Sequence, residues 1–273
     1  MTKVRALVVT GYGINCEEEM AAAYHLAGAE ADIVHLHEVF SERISIHDYD
    51  LLNFPGGFAF GDDLGSAKVL SNKFKYKKMA SGKSFIDDLH KFLSDKKYVM
   101  GVCNGFQALV KMGLIPNVMG NYEQETTLTH NNSGRFEDRW VTCKANEKLI
   151  TPFLKSIDLI DLPVRHGEGK LIFKDQEIRT LVEKKNLNCL SYAGKDGHPT
   201  DEYPVNPNGS ELNCAGLCDE SGHVFGLMPH PEAFLSLYNH PDWGRMKRVN
   251  THISEEGQGL EIFKNIIKHI MEK

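Results

Sequence analysis

Apolar residues in the first 112 positions come in short runs, several of them closed by glycine or proline, that alternate with stretches of helical spacing. Val4–Val9 stops at Gly11 and Gly13, the pattern of a buried strand. Cys16–Ala27 then places Met20, Ala23, Tyr24 and Ala27 on one helical face, and Gly28 ends it. The same alternation predicts strands at Asp32–Leu36, Asp50–Phe54 and Tyr98–Val102, with helices over Gly65–Ala80, Phe85–Leu93 and Gly105–Met112. Strands alternating with helices indicate an α/β fold: an open, mostly parallel sheet with helices on both faces.

The middle of the chain changes period. Glu125–Val141 and Leu162–Phe173 alternate as β-structure does, and Asn131-Asn132-Ser133-Gly134 signals a turn. A helix over Phe173–Glu183, a strand at Leu187–Tyr192, a polar loop at Lys195–Gly209 and strands at Glu211–Leu217 and His223–Leu227 follow. The amphipathic helix Gly259–Met271 closes the chain. With no internal repeat, low-complexity tract or linker, residues 1–273 read as one domain. The charge of −6 argues against a nucleic-acid backbone as partner. No apolar run approaches a membrane span, and the first run is too short for a signal peptide, so a cytoplasmic protein is expected. Six cysteines are too sparse for a disulfide scaffold and are expected as free thiols, open to chemistry.

Gly101-Val102-Cys103-Asn104-Gly105 lies between a predicted strand and a predicted helix. A nucleophile on such a sharp turn needs small neighbours two residues away on each side, because the backbone there is crowded. The helix N-terminus favours the thiolate. The competing reading is a buried cysteine beside two helix-packing glycines. A thiolate also needs a proton carrier held by an orienting group. His166-Gly167-Glu168 and His230-Pro231-Glu232 both offer one, since i and i+2 of an extended segment face the same way. His230 follows its strand, at the sheet edge where Cys103 also sits, whereas His166 is expected to precede its strand. The first pair is therefore read as a pocket-lining loop and the second as the catalytic pair. Pro55-Gly56-Gly57 also follows a strand, and its backbone could join the N–H of Asn104 in a two-donor oxyanion hole.

Pro55-Gly56-Gly57, Gly101-x-Cys103-x-Gly105 and His230-Pro231-Glu232, in that order, resemble the class I glutamine amidotransferases. Asn15-Cys16-Glu17, Gly56-Gly57-Phe58-x-x-Gly61-Asp62, Ser133-Gly134-Arg135-Phe136, His166-Gly167-Glu168-Gly169 and Asn206-Pro207-Asn208-Gly209-Ser210 narrow the resemblance to the glutaminase subunits of purine biosynthesis. It runs from about Val4 to Glu232 and resumes in the last helix. It implies a flavodoxin-like fold with Cys103 as nucleophile, His230 as proton carrier and Glu232 as its orienting group. The amides of Gly57 and Asn104 would hold the oxyanion, and Gln107, His166, Gly167 and Glu168 would line the L-glutamine pocket. Cys16 falls too early to be the nucleophile and is read as structural or interfacial. The resemblance further implies a larger synthetase subunit that receives the ammonia, with a small third subunit. The chain carries no Gly-x-x-x-x-Gly-Lys-Ser/Thr loop, so no cofactor is expected on it, and ATP and Mg are expected on the synthetase.

Two departures bear on docking rather than chemistry: Ala233 stands where an arginine is common, and residues 65–95 and 234–257 read as insertions. A glutaminase serving another synthetase and a non-catalytic flavodoxin-like module are the alternatives. Gly11-Tyr12-Gly13 lacks the third glycine of a dinucleotide fingerprint. Lys73–Lys78 interleaves bases with aromatics but suits a solvated helix face or a partner-docking patch. Cys214 and Cys218 have no second Cys/His pair nearby, so no metal site is expected.

Overall fold

The computed structural model describes residues 3–148 and 150–273. The N-terminal half runs β1 (Arg5–Thr10), α1 (Glu17–Leu26), β2 (Glu30–His35), α2 (Leu36–Phe40), β3 (Leu51–Phe54), α3 (Lys68–Tyr76), α4 (Phe85–Ser94), β4 (Tyr98–Val102) and α5 (Asn104–Met112). It continues with β5 (Thr126–Thr129), β6 (Glu137–Ala145), β7 (Leu159–His166), β8 (Lys170–Phe173), α6 (Gln176–Lys184) and β9 (Asn188–Ala193). The last elements are β10 (Cys214–Cys218), β11 (Val224–Leu227), α7 (Trp243–Val249) and α8 (Gly259–Met271).

Nine strands form one sheet in the order β2-β1-β3-β4-β11-β10-β9-β6-β7, and β5 pairs with β8 apart from it. The pairings from β2 through β11 are parallel, which is the open α/β layer expected from the alternation. Beyond β11 the sheet continues through antiparallel pairings, built from the part of the chain whose period changes. Every residue of β3, β4 and β11 is buried, as central strands covered on both faces must be. α1 and α8 pack together as one helical layer, and α3, α4 and α5 as another.

Several boundaries move, each for a local reason. The helix expected over Gly65–Ala80 is confined to α3, because Ala67 sits at a φ of 54°. The N–H groups of Ser66 and Ala67 are drawn out of helix by the carboxylates of Glu168 and Asp62. The strand expected from Glu211 begins only at Cys214, since Leu212 and Asn213 turn with positive φ. His166 does not precede its strand. It ends β7, paired with Glu137 of β6, and so reaches the site from a strand terminus as His230 does. Residues 234–257 fold as a short 3-10 turn and α7, anchored by Phe234 against Trp140 at 4.9 Å. Lys73 and Lys77, from the basic–aromatic run, lie over the rings of Tyr12, Phe60 and Phe40.

One polar contact crosses the core. Tyr24, fully buried on α1, donates from its hydroxyl to Oδ1 of Asn53 on β3 at 2.7 Å and meets Phe263 of α8 edge-on. Removing that hydroxyl leaves a buried amide oxygen unpaired, so Tyr24→Phe is expected to cost about 1–3 kcal/mol in urea unfolding.

Candidate active site

Cys103 occupies the turn between β4 and α5 with φ 50° and ψ −106°, a conformation a non-glycine residue holds only when its surroundings enforce it. Its N–H donates to the Leu227 carbonyl at 2.8 Å, and its own carbonyl accepts from Gln107 at 3.0 Å. The flanking glycines are steric necessities. A Cβ at Gly105 would sit 1.8 Å from the carbonyl oxygen of Phe54, and one at Gly101 would sit 2.8 Å from the Gly105 backbone. The side chain is thereby set at the carboxyl edge of the sheet, at the positive end of α5, where it is buried but for 6% of its surface.

β11 lies parallel to β4 with Leu227 beside Val102, so the loop after β11 emerges at the same edge. There Nδ1 of His230 donates to Oε1 of Glu232 at 2.5 Å, and the His230 backbone N–H is held by the Pro163 carbonyl. Both side chains are buried. Burial opposes the imidazolium, but the carboxylate of Glu232 and then the sulfur of Cys103 outweigh it and hold the His230 pKa well above its ordinary value. His166, equally buried, goes the other way. Burial first, then the charge of His230, lowers its pKa to about 3, and its Nδ1 donates to Asn131 at 3.1 Å. The structure therefore separates the two histidines by their partners rather than by their place on a strand.

The Pro55–Asp62 loop docks on the loop after β1 through an Ile14–Gly57 bridge. Its hydrogen bonds to that loop use the N–H groups of Asn15, Phe58 and Phe60, not that of Gly57. Gly57 has φ 146°, and a Cβ there would lie 2.6 Å from the Gly13 carbonyl oxygen. Asn104, heading α5, ties this loop down: its Oδ1 accepts from the Ala59 N–H, while its Nδ2 donates to Asp62 and to Gln107. Gln107 in turn donates to the Glu168 carbonyl at 2.6 Å, and Oε2 of Glu168 accepts from Ser66. Both ends of the Gln107 amide are thus spent on holding three loops together.

A cavity of about 220 Å³ opens among these loops, lined by Gly57, Cys103, Gln107, His166, Gly167 and Glu168. Phe58, Asp62, Ser66, His130, Phe136 and Arg165 complete the wall. Sequence reading missed Arg165, an exposed cation that enters no ion pair among the described residues. Its signal was a lone arginine between the apolar Leu162–Val164 and the Gly-rich loop. Cys16 was placed outside the chemistry, yet its Sγ lies within 4.8 Å of the His230–Glu232 pair. Burial pushes the thiols of Cys143, Cys189 and Cys214 up and so disfavours their reactive form.

A strained cysteine at a strand–helix elbow, a buried His–Glu pair beside it and a small cavity define an amidotransferase-type site. The chain belongs to the CobB/CobQ-like glutamine amidotransferase family, whose domain matches residues 3–270. It is 40% identical over 268 residues to the phosphoribosylformylglycinamidine synthase subunit PurQ of Dehalococcoides mccartyi, covering 98% of each chain. It is 39% identical over 272 residues to the PurQ subunit of Methanococcus maripaludis, with 97% of each covered. Among solved structures, a chain of PurLQS from Thermotoga maritima aligns with a TM-score of 0.70 at 28% identity, covering 98% of this chain and all of that one. Among the described residues no helix is long and apolar enough to cross a membrane.

The lowered pKa of His166 has a consequence for stability. The folded state keeps it neutral to about pH 3 whereas the unfolded chain protonates near 6.5, so its contribution is full above pH 6.5 and lost as pH falls. Between pH 6.5 and 4.5 the wild type is expected to lose about 2–3 kcal/mol more than His166→Gln, measured by denaturant unfolding across that range.

Proposed function

We propose that this chain is the glutaminase subunit of a phosphoribosylformylglycinamidine synthase, folded as one domain over residues 1–273. The observation that carries the reading is the strained Cys103 elbow set beside the His230–Glu232 pair; the PurQ relatives supply the pathway. The Cys103 thiolate attacks the side-chain amide carbon of L-glutamine. The resulting oxyanion is met by the N–H groups of Gly57 and Asn104, each such donor being worth about 10²–10³ in rate. His230, held charged by Glu232, gives its proton to the departing ammonia and leaves a γ-glutamyl thioester on Cys103. Water then loses a proton to His230 as it attacks the thioester, and a second collapse releases glutamate and restores the thiolate. His166 stays neutral and takes no part in proton transfer.

The α-groups of glutamine need opposite charges. Arg165 faces the α-carboxylate, and the carboxylate of Glu168 faces the α-ammonium, while Gln107 and Gly167 shape the wall between them. Ammonia passes to a larger synthetase subunit that converts formylglycinamide ribonucleotide to formylglycinamidine ribonucleotide with ATP and Mg, alongside a small third subunit, in the cytoplasm. The PurLQS assembly of the Thermotoga relative supports this arrangement.

The test is ammonia release from glutamine, with and without the synthetase, followed by formation of the amidine product. Cys103→Ala abolishes turnover. His230→Ala lowers kcat by about 10²–10⁴, as loss of a general acid–base does. Arg165→Ala raises KM more than it lowers kcat, because it contributes to ground-state and transition-state binding alike. A glutaminase built for another synthetase would show the same three effects yet yield no formylglycinamidine.

A further inference from the structure

We propose that Cys16, His230 and Glu232 form an inhibitory binding site for a thiophilic divalent cation of the zinc class. The Sγ of Cys16, a ring nitrogen of His230 and a carboxylate oxygen of Glu232 all lie within 4.8 Å of one another, and no other such trio occurs among the described residues. The donors come from two loops at one sheet edge, the one entering α1 and the one leaving β11. Gly56 keeps the space between them open: a Cβ there would lie 2.8 Å from Cε1 of His230 and 3.3 Å from Sγ of Cys16.

Two of the three residues carry an atom without a hydrogen-bond partner. Nε2 of His230 and Oε2 of Glu232 are buried without a hydrogen-bond partner, on side chains only 3% and 2% exposed. Cys16 donates only to Oδ1 of Asn15 at 3.4 Å, a contact it relinquishes on losing its proton. One sulfur, one nitrogen and one oxygen make a zinc donor set, with bonds of about 2.3, 2.0 and 2.0–2.2 Å and a fourth tetrahedral position left for water. Donors at those lengths stand roughly 3.3–3.7 Å apart, so side-chain rotations on the order of 1 Å close the set. The thiolate selects zinc over magnesium or calcium, which prefer all-oxygen sites. Cys16 is only half-buried, and Glu17, Glu18 and Glu19 in the first turn of α1 draw a cation to that edge.

On binding, the Cys16 thiol releases its proton to solvent and forms a sulfur–metal bond, while an imidazole lone pair of His230 enters the metal's shell. His230 can then no longer carry protons. The binding site stands on geometry alone; the loss of turnover rests on the glutaminase reading above.

The experiment titrates the full chain with Co²⁺ in the absence of added thiols. The expected result is a 1:1 complex with a near-ultraviolet thiolate-to-cobalt charge-transfer band and tetrahedral visible bands, both displaced by Zn²⁺. Cys16→Ser, checked by circular dichroism to be folded, loses the charge-transfer band and binds Zn²⁺ at least about tenfold more weakly. Cys103→Ser keeps the band. Absence of the band in the wild type, its survival in Cys16→Ser, or its loss in Cys103→Ser would each overturn the proposal. Zinc inhibition of ammonia release moving to about tenfold higher concentration in Cys16→Ser supports the functional half separately; inhibition unchanged by that substitution overturns that half alone.

Discussion

The backbone contact between Gly105 and the carbonyl of Phe54 is the constraint on which the site depends. It brings the first turn of α5 against the end of β3 so closely that no side chain fits. That approach forces Cys103 into a conformation costing about 1–3 kcal/mol for a non-glycine residue. The strain is offset locally by the hydrogen bond from Cys103 to Leu227 and by the buried strands on either side. The same bond ties the elbow to β11, and through it to the loop that carries His230 and Glu232. Cys103 and the loop that carries His230 and Glu232 are therefore positioned by one sheet register.

Two histidines equally removed from water end in opposite protonation states, and neighbours account for it. Glu232 and the Cys103 sulfur favour charge on His230. His166 has a neutral amide for a partner and faces the charge of His230, so both burial and repulsion empty it of its proton. One imidazole favoured in its charged form and one held neutral thus stand at the same sheet edge. Asn104 and Gln107 play a different part, joining the Pro55–Asp62 loop, α5 and the Gly-rich loop into one frame.

Much of this was legible in the sequence because the decisive features are local. Short apolar runs ended by turn residues marked β1, β3 and β4, and the Gly-x-Cys-x-Gly spacing marked the elbow. The antiparallel half of the sheet was visible as β-structure, but its pairings join residues far apart in the chain, such as Glu137 with His166, which no local pattern encodes. The same non-locality misplaced His166 relative to its strand and hid the proximity of Cys16 to His230 across more than two hundred residues. Arg165 went unnoticed because an arginine in a strand reads as a plain solvent-facing position, and only the neighbouring loops make that position part of a cavity wall.

The central claim is that Cys103 alone among six cysteines attacks the glutamine amide. Its most direct measurement is peptide mapping by mass spectrometry after exposure of the full chain to a glutamine-mimicking chloroketone at neutral pH. A single adduct on Cys103, suppressed by excess glutamine and absent in His230→Ala over the same interval, is the predicted result. An adduct on Cys16 or another cysteine, or labelling of Cys103 that glutamine does not suppress, would contradict it.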